Sequence, residues 1–237
     1  MPVLGVDSTT AVASVALVDA DRVIAEIWRN TTSRHARQLM PMIAQLLGDA
    51  EICLNELDGL SVAIGPGSFT GIRVGLATVK GLIHVISKPL VGIVTLDSLV
   101  CNLAGVPGII CPVIEARKNE LYTAMYRWQS NEMQRFTGYL VVSPESLSAL
   151  LKDCDDPVTF LGDGVNTYGE ILLRDLGARG QVASTADNLP RAAQIGLLGW
   201  KRILSGQVDD VMQLKPFYLK PSAAEQNLAG EKFEVRD

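Results

Sequence analysis

From Leu60 to Ile86 the chain passes from a short apolar strand through Gly65-Pro66-Gly67-Ser68-Phe69-Thr70-Gly71 into a long apolar helix. No other stretch restricts the fold so tightly, because a glycine-rich turn between strand and helix serves one of two purposes. It either aims free N–H groups and a helix dipole at a phosphate, or it lets two backbones meet where a side chain would block them. The dinucleotide fingerprint G-x-G-x-x-G does not fit, since the third glycine arrives one residue late. No Gly-Lys-Ser/Thr follows to complete a Walker A loop either. Packing is the better-supported purpose. Gly67, Gly71 and Gly75 recur every fourth residue and line one side of the helix. Phe69, Ile72, Leu76 and Val79 form a second, bulky stripe, and a helix apolar on two sides is buried or shared with a partner.

The rest of the pattern reads as α/β. Met1 to Val6 is a buried strand ending on Asp7-Ser8-Thr9-Thr10, and Val12 to Val18 with Arg22 to Trp28 completes a β-meander. Thr31, Thr32 and Ser33 offer N-cap oxygens to a helix reaching about Ala50, in which Leu39, Met42, Ile43, Leu46 and Leu47 share a face and Pro41 marks a bend. Leu90 to Val94 is a strand and Asp97 to Leu103 a helix. Gly105-Val106-Pro107-Gly108 is the best boundary, dividing the chain into residues 1–105 and 106–237. Beyond it, Ile109 to Ile114 and Glu120 to Tyr126 read as strands, and Ser143-Pro144-Glu145 opens a helix. The strand Val158 to Leu161 runs into Gly162-Asp163-Gly164. Leu189 to Leu204 is an amphipathic helix, Phe217-Tyr218-Leu219 is a short terminal strand or anchor, and a polar tail starts at Ser222. Each half thus begins with an apolar strand that reaches an acid, Asp7 or Glu115.

Groups able to do chemistry are scarce. Only two histidines exist, His35 and His84, far apart in sequence, so neither H-E-x-x-H nor H-x-x-x-H can be assembled. His35 reads as a capping or interface residue, and His84 as a core or partner contact. Ser68 lies in no G-x-S-x-G elbow. Four dispersed cysteines (Cys53, Cys101, Cys111, Cys154) read as reduced, mostly buried thiols rather than a zinc site. Asp7-Ser8-Thr9-Thr10 is a candidate metal–phosphate turn, explained equally by an Asx-type turn. The net charge of −5 includes no Lys/Arg cluster to track a nucleic-acid backbone. The chain is 48% hydrophobic and only 20% charged, which excludes intrinsic disorder. Breakers interrupt the longest uncharged stretch, Ser98 to Ile114, and Asp7 falls in the first apolar run, so neither a spanning helix nor a signal peptide is expected. The expected location is the cytoplasm.

Leu4-Gly5-Val6-Asp7-Ser8-Thr9-Thr10 and the run Gly65-Pro66-Gly67-Ser68-Phe69-Thr70-Gly71-Ile72-Arg73-Val74-Gly75 strongly resemble the bacterial TsaB (YeaZ) family. Weaker markers agree: His35 with Leu39-Met40-Pro41-Met42, Glu115-Ala116-Arg117 with Glu120-Leu121-Tyr122, and Pro216-Phe217-Tyr218-Leu219-Lys220. The resemblance spans nearly the whole chain. It implies the ASKHA fold of actin, hexokinase and Hsp70, with two related subdomains and a segment after about residue 216 packing back on the first. It also implies a non-catalytic relative of TsaD, the subunit that forms N6-threonylcarbamoyladenosine at position 37 of ANN-decoding tRNAs. TsaD is the implied heterodimer partner, joined by TsaE with ATP, while a separate enzyme supplies the threonylcarbamoyl-adenylate donor. ATP and metal belong to the partner subunits, tRNA is met through the complex, and the isolated chain is expected to self-pair.

The resemblance implies docking through the two helices that follow the meander and the glycine loop. His35, Leu39, Met42, Ile43, Leu46, Phe69, Ile72, Arg73, Leu76 and Val79 are the candidate partner-binding residues, some of which must face the core. Active ASKHA proteins carry an Asp-x-Gly-Thr-like phosphate turn; here Asp7-Ser8-Thr9 lacks the glycine, and Glu115 is the second-half acid. Asp7, Ser8, Thr9 and Glu115 are therefore degenerate nucleotide-site candidates, and Gly162-Asp163-Gly164 only loosely resembles an adenosine turn. The competing expectation is an active ASKHA ATPase or small-molecule kinase using Asp7 and Glu115. A third, an endopeptidase acting on its partner, lacks both a metal motif and a triad.

Overall fold

A computed structural model describes the backbone of residues 1–20, 22–30 and 35–220, and the side chains of all of these but 35–37. The first sheet is built around β1 (Pro2–Asp7), antiparallel to β2 (Val12–Asp19) and parallel to β4 (Gly59–Gly65). With β3 (Arg22–Asn30) and β5 (Leu90–Val94) the order is β3-β2-β1-β4-β5. Strand alternation gives this sheet two different faces. Leu4 and Val6 of β1, with Val15, Leu17 and Val62, join one core with α1 (His35–Asp49) and α2 (Phe69–Ile86). Gly5 points the other way, where a Cβ would overlap the Ala192 carbonyl oxygen of α6 (Ala192–Leu204). Ser61 likewise sits beneath Gly199, so small residues on both elements let α6 lie close to the sheet.

α3 (Thr95–Val100) and a 3-10 turn lead to the second sheet, which starts at β6 (Ile109–Glu115). β6 pairs antiparallel with β7 (Leu121–Thr123) and β8 (Tyr126–Gln129), and parallel with β11 (Val158–Leu161). β9 (Glu132–Arg135), β10 (Leu140–Val142) and β12 (Gly180–Val182) complete it. Leu147 and Leu151 of α4 (Pro144–Leu151) and Val165, Tyr168 and Leu172 of α5 (Gly164–Arg174) cover one face over Phe160. Leu96, Leu99 and Val100 of α3 pack with Ile110, Ile114 and Leu161. The chain already returns to the first sheet with α6. Asn102 steers it there by donating to the Asp187 and Leu189 carbonyls at 2.8 and 2.9 Å.

Local expectations hold in part. Ser68 caps α2, accepting from the Gly71 amide at 3.2 Å, and Ser143 caps α4 in the same way. The N-cap candidates Thr31, Thr32 and Ser33 and the polar tail from Ser222 lie outside the described residues. Phe217-Tyr218-Leu219 forms no strand but an extended strap. Cys111 alone among the cysteines is fully buried, and that burial pushes its thiol up to about 12. Among the described residues α2 is the one helix long and apolar enough to cross a membrane. In this fold its Gly71, Ile72, Gly75, Leu76 and Val79 are buried.

Candidate functional site

The acid at the end of β1 is enclosed by the helix that the glycine turn starts. Asp7, Ser8 and Thr9 are 0–2% exposed. A Cβ on Gly67 would overlap the Thr9 carbonyl oxygen, one on Gly71 would overlap that of Ser8, and one on Gly75 would stand 2.6 Å from Ser8 Oγ. Gly67 also adopts a φ of +153° and Gly65 one of +112°, which side-chain-bearing residues rarely adopt. The glycines therefore seat the first turns of α2 directly on the Ser8–Thr9 backbone. Hydrogen bonds fasten the seat: Ser68 N–H donates to the Thr9 carbonyl at 2.6 Å, and Ser8 Oγ donates to the Gly71 carbonyl at 2.8 Å. Asp7 Oδ1 accepts from the Thr9 amide and hydroxyl at 2.8 and 2.7 Å, while Oδ2 has no partner among the described residues. Burial pushes this carboxyl up to about 6, against the pull of the Thr9 hydrogen bonds.

In the nucleotide reading this turn would face a phosphate with its metal; here the start of α2 is seated on its backbone, and the Ser8 and Thr9 hydroxyls are already engaged. The second-lobe acid differs. Glu115 is exposed; its amide donates to Asp163 Oδ1 at 3.0 Å and its Oε2 accepts from Thr167 at 3.3 Å. Burial raises the Asp163 carboxyl, opposed by its hydrogen bond from the Glu115 amide. Folding thus joins Glu115 to the Gly162-Asp163-Gly164 turn, while the hydrogen bonds of Asp7 stay with Thr9.

The partner-binding candidates divide sharply. Leu39, Met42, Ile43, Leu46, Ile72, Leu76 and Val79 are 0–6% exposed, in the chain's own interior. Their helical spacing is real, but it faces β1, β2 and β4, because these strands offer the apolar area that a two-layer fold must cover. Phe69 is half-buried and Arg73 exposed; the side chain of His35 lies outside the described residues. His84, expected in the core or at a partner, is exposed. What α1 and α2 turn outward is a different set. Met40, Pro41, Ala44 and Gly48 recur on α1, and Ala77, Gly81 and Val85 on α2, with Val85 74% exposed.

Two further arrangements have contacts that sequence reasoning did not supply. The strap from Val211 to Lys220 crosses the first lobe. Phe217 N–H donates to the Ile64 carbonyl at 2.8 Å, Tyr218 stacks on Phe69 at 5.0 Å between centroids, and Arg73 Nε donates to the Tyr218 hydroxyl at 2.9 Å. Its end reaches the second lobe through a Lys220–Glu120 ion pair. Between strap and α2 lies a cleft of ≈ 480 Å³. Nearby, Asp97 on α3 accepts from the hydroxyls of Tyr126 and Tyr139 at 2.6 and 2.7 Å, and Tyr139 meets Phe217 edge-on. The aromatic residues Phe217 and Tyr218 were the one available signal.

Two α/β lobes, each opening on a strand that ends at an acid, define a protein of the ASKHA fold. The ROK hexokinase of Thermus thermophilus shares that fold alone, with TM-score 0.53 and 11% identity over 87% of this chain and 100% of its own. The family model described as TsaD, tRNA N6-adenosine threonylcarbamoyltransferase, matches residues 22–228. The chain belongs to this family and, within it, to the TsaB (YeaZ) group. It is 29% identical to the tRNA threonylcarbamoyladenosine biosynthesis protein TsaB of Bacillus subtilis, over 95% of this chain and 96% of that protein. It is also similar to the solved structure of YeaZ from Pseudomonas aeruginosa: TM-score 0.76, 26% identity, 92% of this chain and 99% of the other.

Proposed function

We propose that this chain is a non-catalytic subunit of tRNA threonylcarbamoyladenosine biosynthesis that docks a TsaD-type catalytic subunit on the outer faces of α1 and α2. The observation that carries the reading is the seat of α2 on the Ser8–Thr9 turn. There the start of α2 is held against the backbone of the turn, which supports the reading of the helix as a fixed outer wall. On that wall Ala44, Gly48, Ala77 and Gly81 leave the two helices smooth enough for close helix–helix approach, with Met40 and Val85 as apolar contacts. TsaE with ATP joins that pair, tRNA is reached through the complex, and the same wall self-pairs when the chain is alone, all in the cytoplasm. The name of the Bacillus subtilis relative places that protein in the same biosynthesis.

The test must leave the interior intact. Leu76→Glu would put a carboxylate into the core, so the informative variant is Ala44→Glu with Ala77→Glu, both exposed. Co-purification with a TsaD-type subunit should weaken by at least about tenfold, with circular dichroism unchanged. Retained association of the folded double variant removes this wall as the docking face. Calorimetric heat from Mg-ATP with the isolated chain would instead favour the ATPase reading.

A further inference from the structure

We propose that the cleft between α2 and the strap seats an acidic segment of the partner subunit, so that carboxylates of the partner complete a cationic rim supplied by this chain. The inference rests on the docking reading above and adds the chemistry of the segment that enters here. Leu76, Ala77, Leu214 and Pro216 make an apolar floor, and Arg73, Lys80 and Lys215 stand around it. No Asp or Glu lines the cleft, although the chain as a whole carries net charge −5. Lys80 and Lys215 make no hydrogen bond or ion pair among the described residues. Arg73 commits only Nε, to Tyr218, and is held in place by the Phe69 ring 3.8 Å away. Three cations are therefore gathered, one of them pre-positioned, with no carboxylate beside them among the described residues.

Position decides what they are for. Ala77 belongs to both surfaces, as a smooth residue on the outer wall of α2 and as part of the cleft floor. A protein seated on the wall covers the cleft and strips water from its rim. Buried, unpaired ammonium and guanidinium groups are strongly unfavourable, so a fitting partner brings carboxylates to them. The apolar floor favours a protein segment with aliphatic groups between its acids over a nucleic-acid backbone, which follows a polar, cationic track.

Calorimetry of the full chain with a TsaD-type subunit at rising salt tests this. The wild type should bind more weakly as salt rises. Lys80→Glu with Lys215→Glu should weaken binding by at least about tenfold at low salt and flatten the salt dependence. Lys80→Arg with Lys215→Arg should keep both affinity and slope, and Lys152→Glu on the second lobe should change neither. Circular dichroism verifies that each variant is folded. Unchanged affinity and slope in the folded Glu double variant overturn the inference while leaving the docking wall standing. Loss of binding to tRNA alone, with binding to the partner intact, also overturns it and makes the cleft an RNA seat. If the wild-type chain does not associate at all, the docking reading fails and this inference falls with it.

Discussion

The two lobes run the same local plan to opposite ends. In each, a parallel strand passes through a glycine turn into a helix beside an acid-tipped strand: β4 to α2 beside Asp7, and β11 to α5 beside Glu115. In the first lobe the glycines continue along the helix at 67, 71 and 75, and α2 sinks until it touches the Ser8–Thr9 backbone. In the second, only Gly164 stands close to the acid-tipped strand, and Gly169 meets nothing within 4 Å. Val165, Tyr168 and Leu172 then fill the inner face of α5, and Glu115 stays exposed. One lobe has become a sealed support for an outer helical wall, and the other keeps an open acidic turn. The glycines at 67, 71 and 75, where a side chain would meet the Ser8–Thr9 turn, mark that difference.

Three substitutions would break or sharpen that contrast. The largest effect is expected for Gly71→Val, because the group it meets is the Ser8 backbone, which has little room to move. Urea denaturation should show a loss of about 3 kcal/mol or more, together with loss of partner binding. A change below about 1 kcal/mol would mean that α2 is not seated as described.

Next is Asp7→Asn. The Asp7 carboxyl holds its proton more tightly in the folded chain than in the unfolded one, since burial lifts it from 3.8 to about 6. Stability from this group is therefore full below the unfolded value and is lost as pH rises through about 6. Asn does not titrate, so relative to wild type the variant should gain about 2 kcal/mol of stability between about pH 4 and about pH 7.5. A flat difference across that range would show that the carboxyl is not sealed.

The smallest effect is expected in the second lobe. Gly169 lies within α5, and a Cβ there meets nothing within 4 Å, so Gly169→Ala should stabilise by about 0.5–1 kcal/mol in thermal unfolding. Destabilisation there would undo the statement that α5 stands clear on that side.

Much of this was legible from the residues in order. The meander, the strand–turn–helix at Leu60 to Ile86, the caps at Ser68 and Ser143 and the strands around Val158 all follow from short-range alternation, turn chemistry and capping, which depend on neighbours in sequence. The short strands β9, β10 and β12 did not stand out, because edge strands of three or four residues carry little alternation. The burial of most partner-binding candidates escaped for a related reason. Periodicity finds the apolar stripe of a helix, but a stripe such as Leu39-Met42-Ile43-Leu46 reads the same whether it meets a sheet or another protein. The strap was suspected from Phe217 and Tyr218, yet its contacts with Ile64, Phe69 and Arg73 join residues well over a hundred positions apart.

By itself the sequence favoured packing over phosphate binding for the turn after β4, since glycine spacing and the missing lysine are local facts that no tertiary arrangement changes. Only the tertiary structure decided what is packed there. The helix seals the acid at the end of β1, turns its bulky stripe inward, and leaves a smooth outer wall beside a cationic cleft. Whether an apolar side chain serves the core or a partner depends on which surface arrives first to cover it, and in this chain the strands of the first sheet do.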